Sequence, residues 1–225
     1  MKPLLEIACF DVESALIAQE AGADRIEFCR DYASGGLSPS SEDIRYLLSR
    51  LRIPLHVMVR PRAGDFVYSA LEFNTMQKEV ERFKSLGVQG LVFGALTRQG
   101  LVDLEKTKHL VSVAWPLPCC FHRAVDQCKD PMEAVRTLTD TGVQWVLSSG
   151  GKQNAEEGKD ILAAMQAAAG FTLSVMPGGG IREKNLQAIK SAGEFKAFHS
   201  AAYDVEKGVV MPEEIKAMKH LLQQP

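Results

Sequence analysis

The amino-acid sequence predicts an α/β protein folded as a single (β/α)8 TIM barrel. Short apolar runs alternate with helical patterns eight times along 225 residues, and this repetition is typical of such a barrel. A chain of this length can bury roughly 70–75% of its unfolded surface, so one core needs no disulfide or metal. A doubly wound sheet is the alternative, but it usually has fewer units. Because no linker or low-complexity tract appears, we expect residues 1–225 to form one domain.

The predicted strands are short apolar runs that end in polar residues. They are residues 4–9, 25–29, 54–60, 90–94, 118–122, 145–149, 172–176 and 195–200. Because side chains alternate across a strand, residues two apart share a face. The polar sets that share a face are Glu6 with Ala8, Glu27 with Cys29, His56 with Met58 and Arg60, and Ala197 with His199. If these faces point inward, two glutamates meet arginine and histidine at one mouth of the barrel.

Helical periodicity predicts a helix after every strand. The helices are residues 12–21, 41–50, 71–86, 104–114, 132–141, 156–169, 183–192 and 213–222. Ser41 is the expected cap of the second helix, because the acidic Glu42 and Asp43 follow it. Four links begin with a glycine, which accepts the left-handed backbone that ends a helix. These glycines, expected at the N-terminal face of the barrel, are Gly22, Gly87, Gly142 and Gly193.

Composition excludes several classes of protein. The 28 acidic and 26 basic residues nearly balance, which argues against a nucleic-acid or anionic-membrane binder. No apolar run approaches the roughly 20 residues of a membrane span. The N-terminus shows no signal-peptide pattern, so a cytoplasmic location is expected. Five cysteines without a CxxC motif match neither a disulfide framework nor a zinc finger.

The chemistry is expected at the C-terminal ends of the strands, where TIM-barrel sites lie. The candidate catalytic residues there are Glu27, Arg60, His122, Asp126 and His199. Glutamate and histidine suit general acid–base chemistry, and neighbouring arginines tune their pKa values. Structural alternatives stay open: Glu27 and Arg60 could form an ion pair inside the barrel, and either histidine could be a hydrogen-bonded core residue.

A second group of strand-end residues is expected to bind an anion. Arginines clamp carboxylate or phosphate, and bare glycine amides hold phosphate after the seventh and eighth strands of such barrels. Arg62 and Asp65 could instead pair with each other and only shape their loop. The anion-binding candidates are Arg62, Asp65, Arg123, Ser148, Ser149, Gly178, Gly179 and Gly180.

Several strings of residues occur in a family order between about residues 4 and 202. The longest are Arg60-Pro61-Arg62-Ala63-Gly64-Asp65-Phe66-Val67-Tyr68-Ser69 and Phe121-His122-Arg123-Ala124-Val125-Asp126. The others lie at residues 27–29, 35–40, 91–94, 147–151, 176–181 and 198–201. Together they resemble the CutC copper-homeostasis family. The resemblance implies a TIM barrel, a cytoplasmic protein and Cu(I) binding, but no settled reaction.

Two departures from the family pattern bear on copper. Relatives tied to copper carry Glu-x-Cys at the ends of the first two strands. Here the second survives with Cys29, while the first has Ala8 in place of cysteine and Cys9 one residue later, on the opposite face. Cys9 could still reach the mouth if the strand end bends. Soft Cu(I) prefers sulfur, so Cys29 is the candidate metal ligand, with Met58 or a histidine as partner. The segment at residues 203–211 is also shorter than in many relatives.

Three functions are compared. The first is a copper-homeostasis protein that binds Cu(I) through Cys29. The second is an enzyme acting on a small phosphorylated or carboxylated metabolite, favoured by the number of charged groups at the mouth. The third, an interaction module with a vestigial pocket, agrees least with that polar density. The expected partner is thus a copper ion or a small anion, without nucleic acid or membrane, and a homo-oligomer is possible.

Overall fold

Eight parallel strands form a nearly closed barrel with a helix after each strand. The computed structural model describes residues 2–224, and the ends of the predicted domain, Met1 and Pro225, lie outside them. The sheet order is β7-β6-β5-β4-β3-β2-β1-β8, so β1 pairs with both β2 and β8. The strands are β1 Leu4–Cys9, β2 Arg25–Phe28, β3 Leu55–Met58, β4 Gly90–Phe93, β5 Cys119–Phe121, β6 Trp145–Ser148, β7 Ser174–Pro177 and β8 Ala197–Ser200. The TIM-barrel prediction is confirmed.

The helices surround the barrel in sequence order. They are α1 Val12–Glu20, α2 Ser41–Leu48, α3 Ala70–Leu86, α4 Leu104–Ala114, α5 Pro131–Thr139, α6 Lys159–Ala169, α7 Glu183–Lys190 and α8 Pro212–Gln223. A hairpin of β9 Tyr203–Asp204 and β10 Val209–Val210 precedes α8. Short 3-10 turns follow β2 at Tyr32–Ser34 and β5 at Arg123–Gln127. Among the described residues, no helix is long and apolar enough to cross a membrane.

Several element boundaries differ from the sequence prediction by a few residues, and two of the differences have a local reason. The cap of α2 is Ser40, not Ser41, because the Ser40 hydroxyl accepts the N–H of Asp43 at 3.1 Å. Helix α6 begins at Lys159 rather than at residue 156. Gly158 lies so close to β6 that a Cβ there would stand 1.9 Å from the Ser149 carbonyl oxygen. This tertiary contact determines where the helix can start.

The glycine links behave as predicted at three of the four positions. Gly22, Gly87 and Gly142 have φ values of 102°, 92° and 88°, in the left-handed region that favours glycine. Gly193 does not have a positive φ, so the prediction is wrong there. Helix α7 ends at Lys190, three residues before Gly193, so this glycine does not terminate the helix.

Strand alternation separates two apolar layers. Outward residues such as Ile7, Phe28 and Val57 pack against the helices in the large core. Inward residues form a smaller cluster inside the barrel. That cluster contains Cys29, Met58, Val92, Cys120, Leu147, Met176 and Ala197. The predicted inward faces are therefore confirmed, and Cys9 lies in the outer layer and does not line the mouth.

Candidate functional site

A cavity of about 380 Å³ lies at the C-terminal mouth of the barrel, and most of the predicted catalytic residues line it. The predicted residues that reach it are Glu27, Cys29, Arg60, His122, Arg123, Gly179, Gly180 and His199. Those that do not are Arg62, Asp65, Asp126, Ser148, Ser149 and Gly178. The first group comes from β2, β3, β5, β7 and β8 or the loops that follow them.

A row of charged residues crosses three neighbouring strands beneath the cavity. In the strand register, Glu6 of β1 stands opposite both Arg25 of β2 and His199 of β8. Glu6 Oε2 accepts a hydrogen bond from Arg25 Nε at 2.5 Å, and Glu6 Oε1 lies 2.8 Å from His199 Nδ1. Burial would raise the pKa of Glu6, but Arg25 and His199 together lower it to about 2. Glu6 is therefore ionised at neutral pH, and it orients His199.

Glu27 lies two residues after Arg25 on β2, closer to the mouth, and stands opposite Ala8 in the register. Its side chain is buried, and its Oε2 atom has no hydrogen-bond partner in the described chain. Burial, reinforced by the charge of Glu6, raises the pKa of Glu27 to about 7, although His199 opposes this change. Burial disfavours the charged form of His199, but Glu27 and Glu6 raise its pKa above the usual value. A carboxyl group with a pKa of about 7 thus stands beside a histidine whose pKa is raised.

Arg60 holds the neighbouring loops. Its Nη1 donates to the carbonyl oxygens of Ser34 at 2.6 Å and Gly36 at 3.0 Å, and its Nη2 donates to Gly64 at 3.1 Å. The guanidinium also stacks on Phe66, 4.8 Å from the ring centroid. In this part of the described structure no ion pair joins Arg60 to Glu27, so the structural alternative raised for those two residues is not formed. Among the described residues the Nε atom of Arg60 is buried without a hydrogen-bond partner, and the guanidinium also interacts with Tyr68.

His122 is fixed at the end of β5. Its Nδ1 accepts the backbone N–H of Ala124 at 3.2 Å and so caps the 3-10 turn. Burial, assisted by the positive charge of Arg60, lowers the pKa of His122 to about 3. The imidazole is therefore neutral, with its proton on Nε2, and this atom too is buried without a partner within residues 2–224.

Asp126 lies behind the cavity wall, where it braces the loop after β6. Its carboxylate accepts hydrogen bonds from the Ser148 hydroxyl at 2.6 Å, the Ser149 amide at 3.0 Å and the Gly151 amide at 3.1 Å. It also pairs with Arg123 Nε at 2.8 Å. Asp126 and the two serines therefore position Arg123, whose guanidinium reaches the cavity.

Arg62 and Asp65 face away from the cavity. Arg62 Nε binds Glu72 at 2.5 Å, and its Nη2 binds Asp65 at 2.9 Å and the Val67 carbonyl at 3.0 Å. These contacts tie the loop after β3 to the start of α3. Arg62 and Asp65 thus pair with each other and shape their loop, which is the alternative to anion binding given above.

The glycine loop after β7 exposes backbone to the cavity. Gly178 donates its N–H to Ser148 at 2.9 Å, and a side chain there would collide with Leu147 and His199. Gly179 and Gly180 adopt φ values of 98° and 72°, and in the described chain their N–H groups donate no hydrogen bond. These two amides suit an anion, whereas the first N–H group of α7 is already engaged, since Glu183 donates to the Glu214 carboxylate at 2.6 Å.

Several lining residues were missed by sequence reasoning. Phe10 and Tyr32 form an edge-to-face pair at 5.0 Å, and Tyr203 stacks on Tyr32 at 4.5 Å. Arg182 also lines the cavity, and its guanidinium binds the Ser200 hydroxyl at 3.1 Å. A basic residue two positions after the glycine run was a usable signal for Arg182. Single aromatic residues in loops carry no such signal.

The sulfur atoms at the mouth are Cys29 and Met58. A Cβ on Gly36 would lie 3.1 Å from Cys29 Sγ and 3.6 Å from Met58 Cε, so both sulfur-bearing groups face the same glycine. Burial, with smaller contributions from Glu27 and Cys9, raises the pKa of Cys29 well above the usual thiol value. Cys9 faces the outer layer, so no second thiol joins Cys29 at the mouth. Among the described residues, the cluster of metal-ligating types comprises Glu6, Glu27 and His199, and it contains no sulfur.

Fold and cavity together define a TIM-barrel protein with a polar, largely buried site at the C-terminal mouth. The chain belongs to the CutC family, whose family model matches residues 3–203. It is 41% identical over 202 residues to the family protein CutC of Chromobacterium violaceum, covering 90% of this chain and 82% of that one. The Salmonella agona relative is 41% identical over 213 residues, covering 95% and 83%. The resemblance seen in the sequence is thus confirmed.

Solved structures agree with this assignment. The crystal structure of CutC from Streptococcus agalactiae superposes with a TM-score of 0.83 at 29% identity, covering 88% of this chain and 98% of that one. Phosphoribosyl anthranilate isomerase from Thermotoga maritima superposes with a TM-score of 0.67 at 14% identity, covering 98% of each chain. The second likeness shows the fold alone.

Proposed function

We propose that this protein is an enzyme that binds a small anionic molecule at the barrel mouth and transfers a proton on it with Glu27 and His199. The observation that carries the proposal is the state of Glu27. Its carboxyl group is buried at the cavity, one oxygen lacks a partner, and its pKa is about 7. A structural carboxylate would be paired, whereas a general base needs a free oxygen and a pKa near the working pH.

His199 is the partner in this chemistry. Its Nδ1 is held by Glu6, which leaves Nε2 as the ring nitrogen for a ligand. The ionised Glu6 and Glu27 favour the imidazolium, so His199 supplies a proton while Glu27 accepts one. Copper binding alone requires neither this pair nor the buried row of charges beneath it, and this supports the enzyme over a metal carrier.

The anionic part of the ligand is assigned to the glycine loop. Gly179 and Gly180 line the cavity in the loop before α7, their amides donate no hydrogen bond within residues 2–224, and Arg123 adds a positive charge beside them. A Cβ on Gly179 would lie 3.1 Å from Arg123 Cζ, so the guanidinium lies directly against the loop. Phosphate commonly binds at this position in TIM barrels.

A thermal-shift screen with inorganic phosphate and with phosphorylated and carboxylated metabolites tests the proposal. A ligand at 100 times its Kd should raise the Tm by about 5–10 °C. Arg123→Gln should weaken that shift. Arg62→Gln is the matched control, because Arg62 is also an ion-paired loop arginine but lies outside the cavity. Indifference of the Tm to every compound, in wild type and both variants, would count decisively against the enzyme.

Copper binding is the second candidate, and the position of Cys29 beside Met58 favours it. A thiol and a thioether are ligands that Cu(I) accepts. The Streptococcus agalactiae relative is named for copper homeostasis. In this case the protein would act as a cytoplasmic copper-homeostasis protein with Cu(I) at the mouth. A homo-oligomer stays a prediction under either function.

A Cu(I) competition titration tests this second candidate. We expect about one tight site, weakened in Cys29→Ser and unchanged in Cys128→Ser, since Cys128 lies in the outer layer away from the mouth. Equal affinity in wild type and Cys29→Ser would dispose of it.

A further inference from the structure

Half of the buried side-chain nitrogen and oxygen atoms without partners in the described chain belong to residues that line the cavity. Within residues 2–224, three of them belong to residues that line it: Glu27 Oε2, Arg60 Nε and His122 Nε2. A buried polar group left without a hydrogen bond costs about 1–3 kcal/mol. Within the described chain, the lining residues thus leave one hydrogen-bond acceptor and two donors without partners. A matching ligand would supply the complementary groups, a donor and an acceptor.

His122 is the more restrained of the two donors. The Ala124 amide occupies Nδ1, so the neutral ring carries its hydrogen on Nε2. The ring lies against Gly94, where a Cβ would come within 2.7 Å of its Cε1 and Nδ1 atoms. Phe66 packs on the ring from another side, with centroids 4.8 Å apart. The chain thus holds one N–H donor in a defined orientation and provides it with no acceptor.

We propose that His122 is a catalytic electrophile: its Nε2–H binds and polarises a carbonyl oxygen of the ligand. This inference rests on the proposed function and names its substrate class, a small anionic compound with a carbonyl group beside an acidic C–H bond. A neutral imidazole donor suits this role, because it stabilises the negative charge that develops on the oxygen and keeps its own proton.

The reaction class follows from the groups present. Glu27 takes the proton from the carbon next to the carbonyl as the C–H bond breaks. That electron pair forms a carbon–carbon double bond, and the carbonyl π electrons move to the oxygen held by His122. The imidazolium of His199 returns a proton to the carbon and restores the carbonyl. One proton is taken up and one is given, and no oxidant or reductant is consumed.

Two substitutions separate the donor from the fold. His122→Asn keeps a side-chain oxygen that accepts the Ala124 amide but has no donor at the Nε2 position. His122→Gln places an amide N–H near that position. The probes are inorganic phosphate and 2-phosphoglycolate, and calorimetry measures the Kd of each. The carboxylate of 2-phosphoglycolate stands in for the negatively charged oxygen that develops during the reaction.

We expect wild type to bind 2-phosphoglycolate at least about tenfold more tightly than phosphate, as a hydrogen bond to a charged group provides. His122→Asn should lose that preference and His122→Gln should keep part of it. The same preference in wild type and His122→Asn would overturn the inference while the proposed function stands. Failure of wild type to bind either probe would count against the proposed function itself.

Nitrogen NMR of the histidine rings tests the assignment without a ligand. His122 should be neutral with its hydrogen on Nε2 at about pH 6, a value at which an ordinary histidine is largely charged. A hydrogen on Nδ1, or on both nitrogens, at that pH would overturn the inference.

Discussion

Replacing Glu27 with glutamine should stabilise the protein at alkaline pH, although it removes the proposed base. Glutamine has the shape of glutamate but carries no charge, so it avoids ionising a buried carboxyl group. The rise in pKa from 4.5 to about 7 corresponds to roughly 3 kcal/mol between the two protonation states.

The pH window follows from the direction of that change. Between pH 4.5 and about 7, the folded protein retains a proton that the unfolded chain has lost. The free energy of unfolding of wild type therefore falls as the pH rises through this window. Glu27→Gln does not titrate, so its advantage should grow from near zero at about pH 4.5 to roughly 3 kcal/mol above about pH 7. Titrating groups remote from Glu27 are common to both proteins and cancel, whereas His199 loses in Glu27→Gln the neighbouring charge that raises its pKa.

Urea denaturation followed by circular dichroism at about pH 5 and about pH 8 measures the difference. Glu6→Gln is the matched control, because Glu6 is also a buried glutamate but its pKa is lowered to about 2. It leaves Arg25 buried without its partner and should lose about 3–5 kcal/mol at both pH values. A difference between wild type and Glu27→Gln that is the same at both pH values would refute the reasoning.

Three further outcomes are expected. Gly94→Ala should displace the His122 ring and abolish the preference for 2-phosphoglycolate over phosphate in calorimetry, because the new Cβ would lie 2.7 Å from the ring. In Glu27→Gln, the free energy of unfolding measured in urea should fall as the pH decreases from 6.5 to about 4. The pKa values of His56 and His122 are lowered in the folded protein, so both rings stay neutral there while the same histidines of the unfolded chain take up protons. Asp126→Asn should lose about 2–3 kcal/mol in the same assay, because the amide cannot accept every hydrogen bond that the carboxylate now accepts; stability equal to wild type would contradict the bracing role.

Local patterns predicted the inward faces of the strands. A strand has a period of two, so Glu27 and Cys29 must face together, and a barrel gives that face only one interior. The same rule placed Ala8 and Cys9 on opposite faces, and the structure puts Cys9 in the outer layer. Placement at strand ends likewise gathered His122 and His199, because parallel strands bring their C-terminal ends to one rim.

Loop residues could not be assigned in this way. Arg60 and Arg62 are two positions apart, yet one lines the cavity and the other binds Glu72 on α3. The direction of a loop side chain depends on partners distant in the sequence, and periodicity says nothing about them. Asp126 shows the same limit, since its hydrogen bonds to the loop after β6 place it behind the wall.

The amino-acid sequence alone determined the barrel, its inward faces and the family, because these depend on short-range periodicity and on long matching strings of residues. Only the tertiary structure decided which charges are paired and which are open. Glu6 and Glu27 are both glutamates on inward faces, but Arg25 compensates the charge of Glu6, while Glu27 is buried without a partner for one oxygen. That difference comes from distances across strands, and it gives two identical side chains opposite protonation behaviour.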